Sequence, residues 1–361
     1  MNTTKREFMY CFTAAILLCA GTLASAEEQK TEAEKTNDLK IEAPKIEDQE
    51  NELFQSAVSL FKPLARDMNS LKLPFKTERV ALGRALFFDK RISATGKVSC
   101  AQCHQPKFYG ANAEPAMTLG NTLKSRNVQS VLNASINSYN NWYGDQASVE
   151  DQAFSLLTSP LGLGHKGSEN AMQKIRSIPA YPVLFSKAFP AEHDPITPEN
   201  WATAIGAYER SLLTPAPFDA YLEGKLDAIS SDAKTGLRKF ISTGCVACHN
   251  GIACGGSSYQ KFGIWSDYWL TTNSSPIDKG RYNITQDEND LYTFRVANLR
   301  NVTMTAPYFH DGSVKSLPEA IQAMGKIQLR KTLSDDDVKY IIAFLKTLTG
   351  PLPKNFSPPP R

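Results

Sequence analysis

The sequence predicts a mostly α-helical fold built from two similar halves. Three observations carry that reading. One pattern, Cys-x-x-Cys-His, occurs twice, at 100–104 and at 245–249. Apolar residues recur at helical spacing in several stretches, and no stretch of any length alternates as a half-buried strand would. The chain has 361 residues, 42% hydrophobic and 21% charged, which is room for about two domains and too apolar for disorder throughout.

In chain order, residues 1–26 read as a secretory leader. Lys5 and Arg6 give a positive start, an apolar run follows from Phe12 to Leu23, and Ala24-Ser25-Ala26 makes a cleavage site. The apolar run is short for a membrane span, so no span is expected once the leader is removed; an uncleaved anchor is the alternative. Residues 27–52 hold ten acids and four lysines and read as a disordered acidic linker. The whole chain carries +3, the linker −6 and the leader +1, leaving +8 on the body from Leu53. That favours acidic partners at encounter, but Lys and Arg are not interleaved with aromatics in a run, so the charge does not by itself indicate nucleic acid and no such partner is expected.

Within the body, residues 78–88, 199–213 and 234–243 have helical periodicity. The second carries Trp201, Ile205, Tyr208 and Leu212 as a stripe and ends at Thr214-Pro215-Ala216-Pro217, a domain boundary. The last helix has Ser334 as N-cap, Asp335, Asp336 and Asp337 at the positive end of the dipole, and an apolar stripe of Val338, Ile341, Ile342, Leu345 and Leu348 before Gly350-Pro351 stops it. The expected domains are 53–214 and 215–350, with a tail at 351–361.

Export would permit disulfides, yet the cysteines do not read as a disulfide framework. Cys11 and Cys19 leave with the leader. Of the five others, Cys100, Cys103, Cys245 and Cys248 stand in the two repeated patterns, followed by His104 and His249. This is the c-type haem attachment pattern. Two thiols one helical turn apart can each add to a haem vinyl group, and the next residue offers its imidazole to the iron. Zinc would accept the same ligand types, and a redox pair would need only the two cysteines. Two complete copies favour two cytochrome c-like domains, each with one covalently bound haem. Cys254 is left over, as a small buried residue.

The chain resembles the bacterial di-haem cytochrome c peroxidases and the related MauG group over nearly all of 53–350. The resemblance rests on Leu82 to Asp89 with Arg91, Ser93 and Ser99-Cys100; on Trp142-Tyr143-Gly144 and Glu150 to Ala153; and on Phe294-Arg295-Val296, Leu299 to Val302 and Thr305 to Gly312. It implies that the amino-terminal haem meets peroxide and that the carboxyl-terminal haem stores and relays electrons. Met324 matches the peroxidases' axial methionine, where the MauG branch has tyrosine; core packing is its other reading, and Met304 is the fallback ligand. Trp142 matches the tryptophan between the haems and Gln152 a residue near the distal pocket. Asn127, Thr305 and Pro307 match oxygen ligands of a calcium ion, and His310 matches a structural hydrogen-bonding group.

The first site departs from the resemblance. The distal histidine of these peroxidases is absent from the loop 117–123, where Asn121 stands near its place, and Gly162 stands at the place of the distal glutamate. His165 is the nearest replacement, with three readings open: acid–base group, iron ligand, or exposed loop residue. Three functions follow. A periplasmic peroxidase would reduce hydrogen peroxide with electrons from a small cytochrome c or cupredoxin. A MauG-like enzyme would oxidise residues of a partner protein. A non-enzymatic carrier would need both haems six-coordinate. A homodimer is what the resemblance implies for assembly.

Overall fold

Helices dominate the computed structural model, which describes residues 46–64, 76–113, 118–119, 123–124 and 126–360. The expected leader, linker residues 27–45 and Asn121 lie outside the described residues. The helices are α1 (Ile46–Leu60), α2 (Thr77–Phe88), α3 (Cys100–Cys103), α4 (Val149–Leu156), α5 (Ser168–Arg176), α6 (Ala180–Ala188), α7 (Pro198–Arg210), α8 (Pro217–Leu222), α9 (Ser231–Thr243), α10 (Tyr268–Thr272), α11 (Tyr282–Thr285), α12 (Leu317–Leu329) and α13 (Asp335–Lys346). Two small antiparallel ribbons join them: β1 (Thr118–Leu119) with β2 (Leu123–Lys124), and β3 (Tyr259–Lys261) with β4 (Thr293–Arg295), where Gln260 faces Phe294. Among the described residues, no helix is long and apolar enough to cross a membrane.

All four helices read from periodicity are present. The caps are as the residue types require: Ser334 Oγ accepts from Asp337 N at 3.1 Å, and the Asp337 carboxylate accepts from Ser334 N at 3.0 Å. Asp337 also pairs with Lys239 on α9, and the hydrogen bonds from that lysine and from Ser334 hold its carboxyl down at about 2.

Two helix crossings organise the body. Gly83 of α2 presses on the Ala204 carbonyl of α7, and a Cβ there would stand 2.8 Å from Tyr208 Cβ. Gly236 of α9 presses in the same way on the Tyr340 carbonyl of α13, where a Cβ would stand 3.0 Å from Phe344 Cβ. Only glycine lets the backbones approach so closely. One turn further on, Asn133 N donates to Leu212 O, and Asn301 N donates to Leu348 O, each at 3.1 Å. Both asparagines are left-handed, with φ of 60° and 62°. Residues 204, 208 and 212 therefore correspond to 340, 344 and 348. The halves are structural repeats.

Two cores follow from these crossings. The first contains Leu82, Leu86, Phe87, Trp201, Ile205 and Tyr208. The second contains Phe218, Leu237, Phe240, Ile341, Phe344 and Leu345. Chain order does not respect this division at either end. Residues 46–52, expected in the disordered linker, are the opening turns of α1, whose buried Leu53 and Ala57, with Phe61 just after the helix, pack in the second core although they precede the first. Phe356 of the expected tail is buried in the first core, although it follows the second. Periodicity identifies an apolar face but not the surface that it meets. Hydrogen bonds seam the halves: Asn133 and Asn301 both donate to Thr214 Oγ1, at 2.7 and 2.9 Å. Beside this seam, buried Arg300 forms a two-pronged pair with Asp219, at 2.9 and 2.7 Å.

Two candidate haem sites

Each site begins at a Cys-x-x-Cys-His stretch held by one short turn. In the first, α3 carries Cys100 and Cys103, and His104 N donates to Cys100 O at 2.9 Å. His104 Nδ1 lies 3.0 Å from the Gly110 carbonyl, so the proton sits on Nδ1 and Nε2 keeps its lone pair. Burial lowers its pKa and keeps the ring neutral, as a metal ligand must be. No cysteine here is in a disulfide, and burial pushes the Cys100 thiol up to about 12.

A cavity of about 60 Å³ opens beside these groups, lined also by Gln152, Gly162, Trp201, Ile205 and Glu209. The Trp201 indole nitrogen is buried there without a partner. A buried donor without an acceptor is costly and rare. Paired thiols, a neutral imidazole and an orphaned donor suit a haem, whose carboxylates are acceptors, so the residues fit the group.

The departures of this site can now be placed. Gly162 lines the cavity, but a Cβ there would overlap the Leu156 carbonyl and lie 2.9 Å from Leu156 Cβ. The turn has closed over the space that a glutamate would need. His165 does not line the cavity. It is buried, its Nε2 lies 2.8 Å from the Ile92 carbonyl, and its backbone N donates to Leu157 O. The expectation of an exposed residue fails; Nε2 donates to the Ile92 carbonyl, and Nδ1 is the ring nitrogen left for the acid–base and ligand readings. Left-handed Gly164 (φ 69°) reverses the chain just before it. Of the five histidines, His104 alone lines this cavity; His193 is exposed and the other two belong to the second site.

The second cavity is larger, about 210 Å³, and lined by Cys245, Cys248, His249, Trp142, His310 and Met324 among mostly apolar groups. His249 Nδ1 lies 3.2 Å from the Cys254 carbonyl, and burial again lowers the ring's pKa. This gives Cys254 a part the sequence did not disclose: its backbone orients His249, while burial holds its own thiol up at about 12. Met324, half-buried on α12, reaches the cavity, whereas Met304 is 44% exposed and does not. His310 stacks on Phe294 at 4.5 Å between centroids, and its Nε2 is buried without a partner. That orphan provides the same fit to a haem as Trp201 does in the first cavity. Trp142 donates from Nε1 to the Asn127 carbonyl at 2.8 Å and lies edge-on to His310.

Asn127 and Pro307 do come together. The side-chain amide of Asn127 donates to Pro307 O at 2.7 Å and to Phe309 O at 3.1 Å. Among the described residues there is no group of three or more His, Cys, Asp or Glu that could hold a metal ion. A cation here would rest on neutral oxygens, with the Asn127 amide turned to present its oxygen.

Sequence reading passed over two first-cavity residues, Trp201 as a donor and Glu209. Burial, and next the charge of Glu150, push Glu209 up to about 8. The signal was present: Glu209 is one turn beyond Ile205 on the same buried stripe.

Two cavities, each furnished with paired thiols and a neutral imidazole, define a di-haem protein with unlike sites. Known proteins agree. Residues 77–227 match the family model described as di-haem cytochrome c peroxidase. The chain is 40% identical to the cytochrome c551 peroxidase of Pseudomonas aeruginosa, over 85% of this chain and 89% of that one. It is 30% identical to the methylamine utilization protein MauG of Methylorubrum extorquens, over 76% of this chain and 79% of that one. A solved MauG-like protein associated with microbial copper homeostasis shares the fold, with a TM-score of 0.68 and 23% identity over 82% of this chain and 96% of the other. The chain belongs to the di-haem cytochrome c peroxidase family, oxidoreductases that act on peroxide.

Proposed function

We propose that the protein reduces hydrogen peroxide to water at the first haem site, with electrons that enter from a small cytochrome c or cupredoxin at the second. The observation that carries this is the contrast between the cavities. The second offers His249 and Met324, enough for a closed, six-coordinate relay. The first offers His104 and no other histidine, which leaves a position for peroxide. Cys100 and Cys103, and Cys245 and Cys248, would hold the haems covalently; the haems supply redox chemistry when bound. Gln152 presents an amide to the first cavity and can orient a bound oxygen species by hydrogen bonding. The apolar lining of the second site excludes water, and Trp142, anchored through Asn127 O, offers an indole as a stepping stone for electrons.

Location in the periplasm, a homodimer and a calcium ion at Asn127, Thr305 and Pro307 complete the reading. The leader-like start supports the first, and the approach of Asn127 to Pro307 supports the last. The single imidazole of the first site also favours a MauG-like oxidation of a partner protein; Met324 favours the peroxidase.

Spin-resonance and electronic spectra of the oxidised protein, before and after one equivalent of peroxide, test the proposal. The expected result is a high-spin first site, a low-spin second site, and rapid two-electron turnover from a reduced donor. Met324→Ala should convert only the second site to high spin and slow donor turnover. Two low-spin haems inert to peroxide, in both the oxidised and the half-reduced protein, would leave an electron carrier. A long-lived oxidised species with poor donor turnover would select the MauG-like reading.

A further inference from the structure

The two repeats provide an internal control for every residue that lines a cavity. The glycine crossings align Ala204 with Tyr340 and Tyr208 with Phe344, and the asparagine contacts align Leu212 with Leu348. That register places Glu209 opposite Leu345. Both line their cavities, and both are buried, at 5% and 3% exposure. The second site thus keeps a hydrocarbon where the first keeps an ionisable group. An unpaired buried carboxylate is expensive, so packing alone favours leucine.

The surroundings of Glu209 do not neutralise it. From α4, Glu150 faces it but is held by Arg210 at 2.9 and 2.7 Å. From α2, Arg84 turns to the chain end, at Ser357 and Pro358. Arg176 of α5 pairs with Glu169 and Asp194. The short turn Ala134–Ile136 brings no charge, and α3 presents Cys100. Burial therefore favours the neutral acid, and the group titrates near 8.

We propose that Glu209 is the proton-handling residue of the first cavity, holding as a carboxylic acid one of the two protons that peroxide reduction consumes. The inference rests on the peroxidase reading above. Hydrogen peroxide, two electrons and two protons give two waters. The O–O bond breaks, the electrons come from the donor through the second site, and Glu209 releases one proton to a departing oxygen. Solvent provides the second proton and then restores the acid. Gly162, in the turn after α4, has no room for a side chain and leaves this work to a residue of α7.

The test compares holoprotein with Glu209→Leu, the residue of the twin position, and Glu209→Gln. Infrared spectra at neutral pH should contain the carbonyl band of a buried carboxylic acid, shifted in D2O and absent from both variants. The single-turnover reaction with peroxide should slow by about 10²–10⁴ in both, the usual contribution of a general acid. The descending alkaline limb of the wild-type rate should vanish, while the spectrum of the second site stays unchanged. Should Glu209→Leu fail to load its first haem, the near-isosteric Gln variant decides. A loaded variant with wild-type rate and pH profile overturns the proposal, as does a peroxide-active wild type lacking the acid band. A wild type inert to peroxide overturns the peroxidase reading, and this proposal with it.

Discussion

Phe356→Ala tests whether the chain end belongs to the first haem domain. The ring is 4% exposed and meets Phe87 and Phe88, with centroids 6.2 and 6.5 Å away. Around it the tail is fastened by Tyr208 to Asn355 O at 3.0 Å, by Asn355 to Ser211 at 2.8 Å and by Arg84 to Ser357. Truncating a buried phenylalanine costs about 3–5 kcal/mol, from lost transfer energy and the residual cavity. A segment outside any helix or strand can settle into part of that cavity, which places the expected loss near the lower value, about 3 kcal/mol. For a unit of 150–250 residues that corresponds to a fall in Tm of roughly 6–12 °C. The effect should be local as well. Phe87 lies 6.4 Å from the His104 ring, so the absorption of the first haem should change while that of the second holds. Calorimetry with difference spectroscopy reads both. A loss under about 1 kcal/mol, or equal changes at the two haems, would show that the tail only rests on the surface.

Asp219→Asn leaves Arg300 buried beside an uncharged amide and should cost about 3–5 kcal/mol by denaturant titration; a loss under about 1 kcal/mol would mean that the pair is readily replaced. Gly162→Glu installs the side chain that the family resemblance implies for this place, yet must displace the Leu156 carbonyl; it should lower stability by about 1–3 kcal/mol without raising the rate with peroxide, and a faster enzyme would refute the steric argument. The raised pKa of Glu209 has a defined sign. Between about 4.5, where an ordinary carboxyl titrates, and about 8, the native state keeps a proton that the unfolded chain has released. Stability from this group therefore falls as pH rises through that window. The advantage of Glu209→Leu over wild type should grow from pH 5 to pH 8, and a constant difference would refute the shift.

The haem sites were legible where chemistry imposes sequence spacing. The two attachment patterns and the aromatic stripe of α7 depend on residues close together in the chain, whereas Met324 was marked only by the resemblance. Legibility ended where a partner comes from far away. His165 reads as an exposed loop residue from its Gly-rich neighbours until the Ile92 carbonyl, 73 positions back, is found on its Nε2. The α1 face and Phe356 read as generic apolar segments because their cores are assembled from the opposite half. Glu209 was visible on the buried stripe, but only the crossing of α7 with α2 and α4 shows that a cavity lies in front of it.

The repeat also explains how one fold holds two kinds of haem. Both halves keep the same frame: a glycine crossing, a left-handed asparagine, a thiol pair and an imidazole steered by a backbone carbonyl. Function is set by substitutions that leave the frame alone. In the second half, α12 brings Met324 to the cavity and Leu345 keeps the wall apolar, as the proposed closed, electron-storing site requires. In the first half no thioether or second imidazole among the described residues lines the cavity, and the wall carries Gln152 and Glu209 instead. A site built this way should need no reductive release of a distal ligand before it meets peroxide. Oxidised protein that binds cyanide at its first haem as fast as the half-reduced protein does would bear that out. Binding that begins only after one-electron reduction would mean that a ligand from outside the described residues occupies the position.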